Sequence, residues 1–578
     1  MWISAVKESE CSDMTKKIKK LNKQIRFQKK LRKDARLIFE NTGFILVPQQ
    51  DINIDIKGQK SDLDNIFIFE NLVVIAEDTI VATNPNDHLR KKAEFFKHCQ
   101  DNKSDFIQFL KTNIPAYKVS SANSFGDSDI IIAFLYIFPR EVDSSRQQRY
   151  GHLKFIDQKI LSYFLSLSKT IKKSARFEMF KFLDIDFEKL GSQKSGVPSN
   201  EYTGLILPET PSGFPSGYKL VSFLIDPTTL LRQSYVLRKD GWLDNDFVYQ
   251  RILVGNKIFN MRKYLTEEGR VFVNNVIVTL PDDVKLVDIK DKNKLADSLN
   301  AGAVQEPVKI QIPQKAGNIG IIDGQHRVFS YHEGNDIYEN IISQIRDKQH
   351  LLVTGIIFPK SLKDDDRTRF QAKLFLEIND KQTRTNAALR QVIGTIVNPF
   401  EATSIAKMVV NGLAKRSPMD NVLEQHFFDK GKLKTTSIVS YGMKHITKLS
   451  GNDSFFHVWR SSKKNSLLKG NDVALLSQYI KFCADEMNIF LQAFKKNIPA
   501  NLWTTDQKIS RVLTATTVTG LVHCMKILIE NKKRGDFDYY DKCFRKLAGK
   551  IDFTPRNFTY KSSHWKDLGD KIYEVCFK

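Results

Sequence analysis

The chain has 578 residues, 41% hydrophobic and 11% aromatic, so it is long enough for several domains with substantial cores, and wholesale disorder is not expected. A formal net charge of +23 favours a polyanionic partner, most often nucleic acid, over a merely lysine-rich surface. The six cysteines form no CxxC pair, and no stretch resembles a signal peptide or reaches the ~20 apolar residues of a membrane span, so we expect a cytoplasmic protein without zinc, disulfides or a membrane partner.

The first third of the chain predicts a basic helix followed by a small α/β region. Apolar residues at helical spacing predict one long helix over 14–40, whose lysine-rich face suits a phosphate backbone. The apolar runs NIFIF and LVVIA within 61–82 are typical of strands, and Glu70-Asn71 between them predicts a two-residue hairpin loop. Further elements are then expected in this order: a helix over 87–100, a buried strand over 129–138 and mainly helix over 153–183.

The rest of the chain predicts two further regions. Strands and helices alternate from about 201 to 395, which indicates an α/β or α+β arrangement, and the pattern after about 400 is mainly helical. With GSQKSGVPSN as a linker, the predicted organisation is a module over 1–190, a second over 201–395 and a helical region over 400–578. Two roles stay open for the helical region, namely DNA contact and homo-oligomerisation. Its segment NFTYKSSHW mixes aromatic and basic residues, which suits nucleic acid but is as common at the edge of a helical core.

The predicted hairpin brings two carboxylates together at its open end. If Phe69 pairs with Leu72, Asp64 lies opposite Glu77, with the two Cβ atoms ~5 Å apart. Carboxylates this close repel each other unless a cation lies between them, and Mg²⁺ is the usual one. Bound there, Mg²⁺ would polarise a phosphodiester and lower the pKa of a hydrolytic water. The alternative interpretation is a surface hairpin with two acids at its open end.

This arrangement resembles the PD-(D/E)xK nuclease superfamily, in which a hairpin brings an Asp beside a (D/E)xK triplet on the next strand. The resemblance implies a restriction-endonuclease-like fold in which Asp64 and Glu77 are metal ligands and catalytic residues. It also implies that an acid on the preceding helix, here Glu40, contributes near the metal.

The sequence departs from the superfamily at the third position of the triplet, where Thr79 replaces the usual Lys. That Lys steadies the attacking water or the charge of the transition state. Lys91 or Lys92 on the following helix could supply the missing cation, and His88 is a further candidate. Without such a substitute the module would bind DNA and not cut it.

A second polar cluster lies in IIDGQHRVFSYHEG, which reads as strand, turn and helix. Gly324 permits close approach of the backbone to a ligand, and a helix beginning near Gln325 presents free N–H groups to an anion. Arg327 adds a bidentate phosphate fork, His326 a further donor, and Asp323 a group that orients either of them. The alternative is an ordinary strand–turn–helix with a salt bridge between Asp323 and Arg327.

The string DGQHR is identified as the signature of the DGQHR-domain family, which includes DndB and is similar to the ParB/sulfiredoxin-like superfamily. The resemblance implies a ParB-like central module whose pocket binds a nucleotide or a DNA phosphate, with Arg251 in the pocket and Asn379 and Gln382 in a covering segment. Taken alone, Asn379 and Gln382 would be read as a helix cap or turn. The family also implies a DNA-modification or phage-defence system, with DNA and other proteins of the same cassette as partners.

Three functions follow from these patterns. The leading prediction is a Mg²⁺-dependent DNA nuclease controlled by the nucleotide- or phosphate-binding DGQHR module. The second is a non-catalytic, DndB-like DNA-binding transcriptional regulator, which the Thr79 departure favours. The third is a nucleotide hydrolase, an ATPase or CTPase, acting on a nucleoside triphosphate at the DGQHR pocket.

Overall fold

The computed structural model describes residues 25–48, 51–79, 85–140, 142–186, 189–191, 200–207, 212–236, 253–290, 306–313, 317–382, 387–425, 429, 431–507, 509–553, 560 and 564–578. The chain divides into two compact units. The first comprises 1–244 and 251–362, and the second comprises 245–250 and 363–578. The fold is mixed α/β, with the sheets in the first unit and helices predominating in the second.

The first unit contains a five-stranded sheet with the strand order β1-β4-β5-β6-β7. The strands of this sheet are β1 (Ile45–Leu46), β4 (Asn65–Phe69), β5 (Leu72–Asp78), β6 (Ile131–Ile137) and β7 (Leu153–Ile156). A separate hairpin is formed by β2 (Ile52–Ile56) and β3 (Gln59–Leu63). The helices of this region are α1 (25–41), α2 (Pro85–Asp101), α3 (Lys103–Asn113), α4 (Pro115–Lys118), α5 (Ser144–Arg149), α6 (Gln158–Ile171) and α7 (Arg176–Phe182). The stretch predicted as mainly helix therefore begins with a strand, β7, which pairs in parallel with β6.

The β4–β5 hairpin lies at the centre of this sheet, and its two faces belong to different cores. Phe67 and Val74 pack into one hydrophobic cluster, whereas Ile66 and Ile75 pack into another. Burial on both faces explains why these strands are continuous apolar runs instead of alternating ones. The loop residue Asn71 is anchored, because its Nδ2 donates to Asp129 O at 2.7 Å. The hairpin is therefore held rigidly, and so are the residues at its open end.

A short hairpin, β2–β3, precedes β4 and was not predicted from the sequence. Ile54 and Ile56 alternate with exposed residues, and the loop Lys57-Gly58 has positive φ at both positions, 49° and 86°. A loop of this kind matches the twist of a two-residue hairpin. The alternation and the Lys-Gly step were the sequence signals for this element. Its two ends carry Asp51 and Asp62 toward the open end of the β4–β5 hairpin.

The second sheet of this unit has eight strands in the order β10-β14-β11-β15-β9-β8-β13-β12. Its strands are β8 (Asn200–Leu207), β9 (Lys219–Ile225), β10 (Ser234–Val236), β11 (Val276–Leu280), β12 (Lys285–Asp288), β13 (Glu306–Ile312), β14 (Ile319–Asp323) and β15 (Leu351–Ile357). The associated helices are α8 (Pro227–Gln233), α9 (Gly255–Glu267), α10 (Gln325–Phe329) and α11 (Glu339–Ile345). The predicted alternation of strands and helices is confirmed for this part of the chain.

In its described residues the second unit consists of helices around one hydrophobic core. They are α12 (Asp364–Gln382), α13 (Ala387–Val397), α14 (Ala402–Ala414), α15 (Thr435–Ser437), α16 (Lys444–Thr447), α17 (Phe455–Val458), α18 (Val473–Lys496), α19 (Ala515–Glu530), α20 (Phe537–Phe544) and α21 (Trp565–Phe577), with a π-helical segment, Ile438–Met443, before α16. The prediction of a mainly helical C-terminal region is confirmed. Among the described helices, none combines the length and apolar character needed to cross a bilayer.

Candidate functional site

The open end of the β4–β5 hairpin carries a buried polar cluster. The register pairs Phe69 with Leu72, as predicted, and continues to the last pair of the ladder at Asn65. One step further along the same register, Asp64 lies opposite Glu77. Both residues are buried, with only 5% and 3% of their surface exposed. Burial of two acids at the strand ends of an apolar sheet is costly unless positive groups surround them. Two helices supply such groups.

Arg32 of α1 supplies the first positive group. Its guanidinium contacts a different carboxylate with each nitrogen: Nε lies 2.6 Å from Asp78 Oδ2, Nη2 lies 2.9 Å from Asp64 Oδ1 and Nη1 lies 3.3 Å from Asp51 Oδ1. The planar fork of an arginine is suited to several carboxylate oxygens at once. Arg32 therefore holds together acids from the β2–β3 hairpin, the start of β4 and the end of β5.

Asp78 is the most enclosed of these acids. Asn65 Nδ2 donates to Asp78 Oδ2 at 2.8 Å, and Arg36 Nε in turn donates to Asn65 Oδ1 at 2.8 Å. The backbone N–H of Asp78 donates to Asp64 Oδ2 at 2.8 Å. Its other carboxylate oxygen, Oδ1, is buried and has no hydrogen-bond partner among the described residues. A buried carboxylate oxygen without a donor is a natural place for a further positive group.

Lys92 of α2 supplies the second positive group. Its Nζ lies 2.8 Å from Glu77 Oε2 and 2.9 Å from Asp62 Oδ1, and the side chain is only 8% exposed. Burial alone would lower the pKa of Lys92, but the negative charges of Glu77 and Asp62 outweigh it and raise that pKa above its usual value. Lys92 is therefore a fixed cation beside Glu77.

His88, one turn before Lys92 on α2, approaches the other oxygen of Glu77. His88 Nε2 lies 3.3 Å from Glu77 Oε1, and its Nδ1 lies 3.0 Å from the hydroxyl of Tyr136. Tyr136 is the residue that β6 places next to Glu77 in the parallel register. The sequence had suggested Lys92 and His88 as substitutes for the missing Lys, and the structure brings both to Glu77.

The carboxylates of the cluster differ in their affinity for protons. Burial, followed by the negative charges of Glu77 and Asp78, raises the pKa of Asp64 above its ordinary value. A hydrogen bond with Asp64 and the nearby charge of Arg32 lower the pKa of Asp51. The buried acid therefore favours the protonated form while the more exposed one ionises.

Two other predicted residues, Lys91 and Glu40, lie apart from this cluster, and Thr79 stands where the usual Lys would be. Lys91 is 68% exposed and its Nζ lies 3.4 Å from Asp87 Oδ2 on the outer face of α2. Glu40 is exposed on α1, about 12 Å along the helix axis from Arg32. Thr79 is buried, and its backbone N–H donates to Ile137 O at 3.1 Å.

Several residues of the cluster were not predicted: Arg32, Asp51, Asp62, Asn65, Asp78 and Tyr136. For Arg32 the only signal in the sequence was the basic character of its helix. For Asp78 it was the position directly after Glu77, at the end of a strand. Contacts between a helix and strands that are distant in sequence depend on tertiary packing, and no local pattern encodes them.

A groove with a volume of about 660 Å³ borders the cluster on the side of α1. It is lined by Ile25, Gln28, Lys29, Arg32, Lys33, Arg36, Leu37, Glu40 and Asp51. Four of these residues are basic, and two of them, Arg32 and Arg36, also belong to the polar cluster. The groove thus leads from a positively charged helix face to the buried carboxylates.

The DGQHR stretch forms the predicted strand, turn and helix. β14 ends at Asp323, Gly324 adopts the left-handed conformation with φ 95°, and α10 begins at Gln325. Arg327 Nη2 lies 2.7 Å from Asp323 Oδ2, and Arg327 Nη1 donates to Asn275 O at 2.6 Å. His326 is buried, and its Nε2 accepts from the backbone N–H of Val254 at 3.3 Å. These are the contacts of the simpler alternative, in which Asp323 and Arg327 form a salt bridge within the turn.

Three further residues were predicted for this pocket: Arg251, Asn379 and Gln382. Arg251 and the side chain of Gln382 lie outside the described residues. Asn379 belongs to the second unit, where its Nδ2 donates to the carbonyl of Phe375 four residues earlier on α12. Asn379 therefore makes a local contact within its own helix.

A fully buried arginine, Arg262, ties down the chain that follows the DGQHR helix. It forms a bidentate pair with Asp336 at 2.8 and 3.1 Å, contacts Glu339 at 2.8 Å and donates to His332 O at 2.8 Å. Burial, followed by the charge of Arg262, lowers the pKa of His332 to about 4. The sequence did not single out this network. Because Arg262 is engaged by two acids and a carbonyl, the network supports the chain after the turn.

Comparison with known proteins gives no match, either to a protein-family model, to a curated protein or to a solved structure. Of the two polar clusters, the one at the β4–β5 hairpin combines buried acids, a fixed lysine and an adjoining basic groove. The one at the DGQHR turn has its arginine and histidine engaged in contacts within the protein.

Proposed function

We propose that the protein is a Mg²⁺-dependent DNA nuclease whose active site is the polar cluster at the open end of the β4–β5 hairpin. The observation that carries the proposal is the contact of Lys92 with Glu77. The triplet that begins at Glu77 lacks its lysine, and a lysine from the next helix lies 2.8 Å from Glu77 Oε2 instead. A buried cation in this position is chemically equivalent to the lysine of a (D/E)xK triplet.

The donor set suits a hard divalent cation. Ligand oxygens of Asp51, Asp62 and Asp64 lie within 4.8 Å of one another, and the buried Oδ1 of Asp78 has no hydrogen-bond partner among the described residues. Carboxylate oxygens are the ligands that Mg²⁺ prefers. Asp64 and Glu77 are the acids that we expect to hold it, and Asp64 would release its proton in doing so. When bound, Mg²⁺ would supply charge neutralisation at the phosphodiester and a more acidic water.

The side chains of the chain itself then have separate roles. Lys92, held as a cation between Glu77 and Asp62, would donate to the attacking water or to the phosphoryl oxygens as negative charge develops. His88 contacts Glu77 and Tyr136, which positions it to exchange a proton at Nε2. Arg32 has the geometry to receive a phosphate oxygen in exchange for a carboxylate, because a guanidinium binds both groups with the same fork.

DNA is the substrate class that the charge distribution favours. The groove beside the cluster is lined by Lys29, Arg32, Lys33 and Arg36, and the whole chain carries a net charge of +23. A row of cations along a helix neutralises successive phosphates without reading sequence. The proposal assigns the hairpin to a PD-(D/E)xK-like module and the DGQHR turn to a ParB-like module that controls access to DNA in a modification or defence system.

The test uses plasmid DNA with Mg²⁺ and four proteins: the wild type, Asp64→Asn, Lys92→Met and Lys91→Met. Nicking should fall by about 100-fold or more in Asp64→Asn and Lys92→Met, because each loses a group at the reacting phosphate. Lys91→Met is the matched control, since it removes the same charge one residue away on the exposed face of α2. Nicking that survives in Asp64→Asn at the wild-type rate would eliminate this active site.

A second function is supported by one specific observation. Arg32 already occupies the space between three carboxylates, and Thr79 supplies no lysine, so the cluster would also be stable as a purely structural ion network. In that case the protein is a non-catalytic DNA-binding regulator. DNA binding without cleavage of either modified or unmodified plasmid, in Mg²⁺ or Mn²⁺, would favour this function over the nuclease.

A further inference from the structure

The second unit carries a cluster of basic side chains that the proposed nuclease site does not use. Lys448 and Lys526 converge on one carboxylate, with their Nζ atoms 2.9 and 3.3 Å from Asp453 oxygens. Lys526 lies on α19, whereas Lys448 follows α16 directly. One acid between two lysines leaves this part of the surface with a net positive charge.

Two more lysines extend the cluster. Partial burial lowers the pKa of the exposed His445, and so do the positive charges of Lys444, Lys526, Lys448 and Lys566. The charges of all four lysines therefore act on the same imidazole. Lys444 and Lys566 have no carboxylate partner among the described residues, so their charges are available to an outside anion.

The arrangement is held by a close helix pair. A Cβ added to Gly569 of α21 would lie 2.6 Å from Gly520 O of α19, so these two glycines let the helix backbones approach each other. The approach brings His523 of α19 edge-on to Trp565 at the start of α21, with ring centroids 5.6 Å apart. Lys566 Nζ in turn lies 5.4 Å from the centre of the Trp565 ring. The basic groups therefore project from packed helices and not from a loose tail.

An exposed aromatic residue accompanies the lysines. Tyr441, one turn before Lys444, leaves 57% of its surface in solvent. Large exposed rings among cations are the pattern by which proteins hold single-stranded nucleic acid, with bases stacked on rings and phosphates on lysines. Two acids offset part of the charge: Asp453, and Asp570, whose Oδ1 lies 3.2 Å from His523 Nε2.

We propose that this surface, formed by Tyr441, Lys444, Lys448, Lys526 and Lys566 and called here the lysine surface, binds single-stranded DNA. The phosphate backbone lies along the lysines and a base stacks on Tyr441. The proposal is independent of the nuclease site, because every residue that carries it belongs to the second unit. It also gives a role to Trp565, the last residue of the mixed aromatic and basic segment, because Lys566 Nζ lies over its ring. Residues 557–559 and 561–563 of that segment lie outside the described residues.

The experiment measures binding of a fluorescent single-stranded oligonucleotide to the full chain in EDTA, where no metal-dependent cleavage occurs. The test variant is Lys444→Glu/Lys566→Glu. The matched control is Lys542→Glu/Lys550→Glu, two exposed lysines near the other end of α21, where Lys546 Nζ donates to Cys576 O at 3.3 Å. Cys576 lies about 16 Å along the helix from Trp565.

The test variant should bind about tenfold more weakly than the control, and the slope of log affinity against log salt should decrease by about 1.4 for two lost phosphate contacts. Tyr441→Ala should weaken single-strand binding about tenfold through the lost stacking and leave duplex binding unchanged. A milder variant, Lys444→Gln/Lys566→Gln, serves if charge reversal impairs folding.

An equal loss of oligonucleotide affinity in the test and control variants would mean that only net charge matters. This result would overturn the proposal. Tighter binding of a duplex of the same length would overturn the single-strand assignment. Because Asp64→Asn leaves the lysine surface intact, that variant should bind the oligonucleotide like the wild type. Loss of cleavage with retained binding is therefore distinguishable from failure of the lysine surface.

Discussion

Arg32 Nε lies 2.6 Å from Asp78 Oδ2, and the same guanidinium also contacts Asp64. The arginine occupies the position between carboxylates that a divalent cation would take. We therefore expect the two to compete. Removing Arg32 leaves buried acids without a counter-charge, and this should lower the free energy of unfolding by about 3 kcal/mol in EDTA.

Mn²⁺ should restore part of that loss in Arg32→Gln and stabilise this variant more than it stabilises the wild type, because the cation then neutralises acids that have no other partner. The measurement is urea unfolding with and without the ion. Lys33→Gln is the control, since it removes an exposed charge from the next position on α1. Equal stabilisation of all three proteins by Mn²⁺ would show that Arg32 and the ion do not share a site.

The buried pair of Lys92 and Glu77 should be energetically coupled. Lys92→Met leaves Glu77 buried without its cation, which we expect to cost about 3 kcal/mol of stability. Glu77→Gln/Lys92→Met should lose about 1–3 kcal/mol less than the sum of the two single variants, because it leaves no buried charge unpaired at position 77. A double-mutant cycle by chemical denaturation measures this coupling. The exposed pair of Asp87 and Lys91 supplies the comparison cycle and should show no measurable coupling.

His332 should contribute to the pH dependence of stability, because burial lowers its pKa to about 4. In the unfolded chain His332 takes up a proton below about pH 6.5, but in the folded chain it does so only below about pH 4. The contribution of His332 is therefore fully present above about pH 6.5 and is lost as the pH falls through that window, by on the order of 3 kcal/mol.

His332→Gln should flatten the stability profile between these two pH values, as measured by urea unfolding at a series of pH values. His350→Gln, at an exposed position three residues after Asp347, should leave the profile of the wild type unchanged. A His332→Gln profile that matches the wild-type profile throughout this window would contradict the burial of a neutral imidazole.

The sequence predicted local structure where one short segment determined it. The two-residue loop at Glu70-Asn71 fixed the register of the whole hairpin, so the opposition of Asp64 and Glu77 followed by counting. The strand, turn and helix at Gly324 followed in the same way from a strand-like run and a glycine. The helical character of the second unit followed from periodicity.

The partners of the charged residues could not be predicted in this way. Arg32 reaches Asp64 and Asp78 because α1 packs across the end of the sheet, and nothing in its own helix distinguishes it from Lys29 or Lys33. Arg327 was expected to face an outside phosphate, but it donates to Asn275 O, a carbonyl 52 residues away in sequence. The partner of a charged side chain is determined by tertiary contacts, and a single sequence does not show these.

The turn at Gly324 gives the last prediction. Its φ of 95° lies in the left-handed region, and a Cβ there would lie 3.0 Å from Val276 Cγ2 on the neighbouring strand β11. Gly324→Ala should therefore lose about 1–2 kcal/mol from the backbone alone, with an additional loss from the contact with Val276. Gly324→Asn should lose less from the backbone, because asparagine tolerates this conformation.

Thermal unfolding of these variants measures the effect, with Gly255→Ala as the control. Gly255 begins α9, has no atoms near the position of an added Cβ and is not in the left-handed region, so its replacement should be neutral or slightly stabilising. If Gly324→Ala is as stable as Gly255→Ala, the left-handed turn is not what fixes the DGQHR stretch, and the contacts of Arg327 with Asp323 and Asn275 O must hold it instead. An additional Arg327→Met substitution separates these cases, because it removes both contacts of Arg327 and leaves the glycine turn in place.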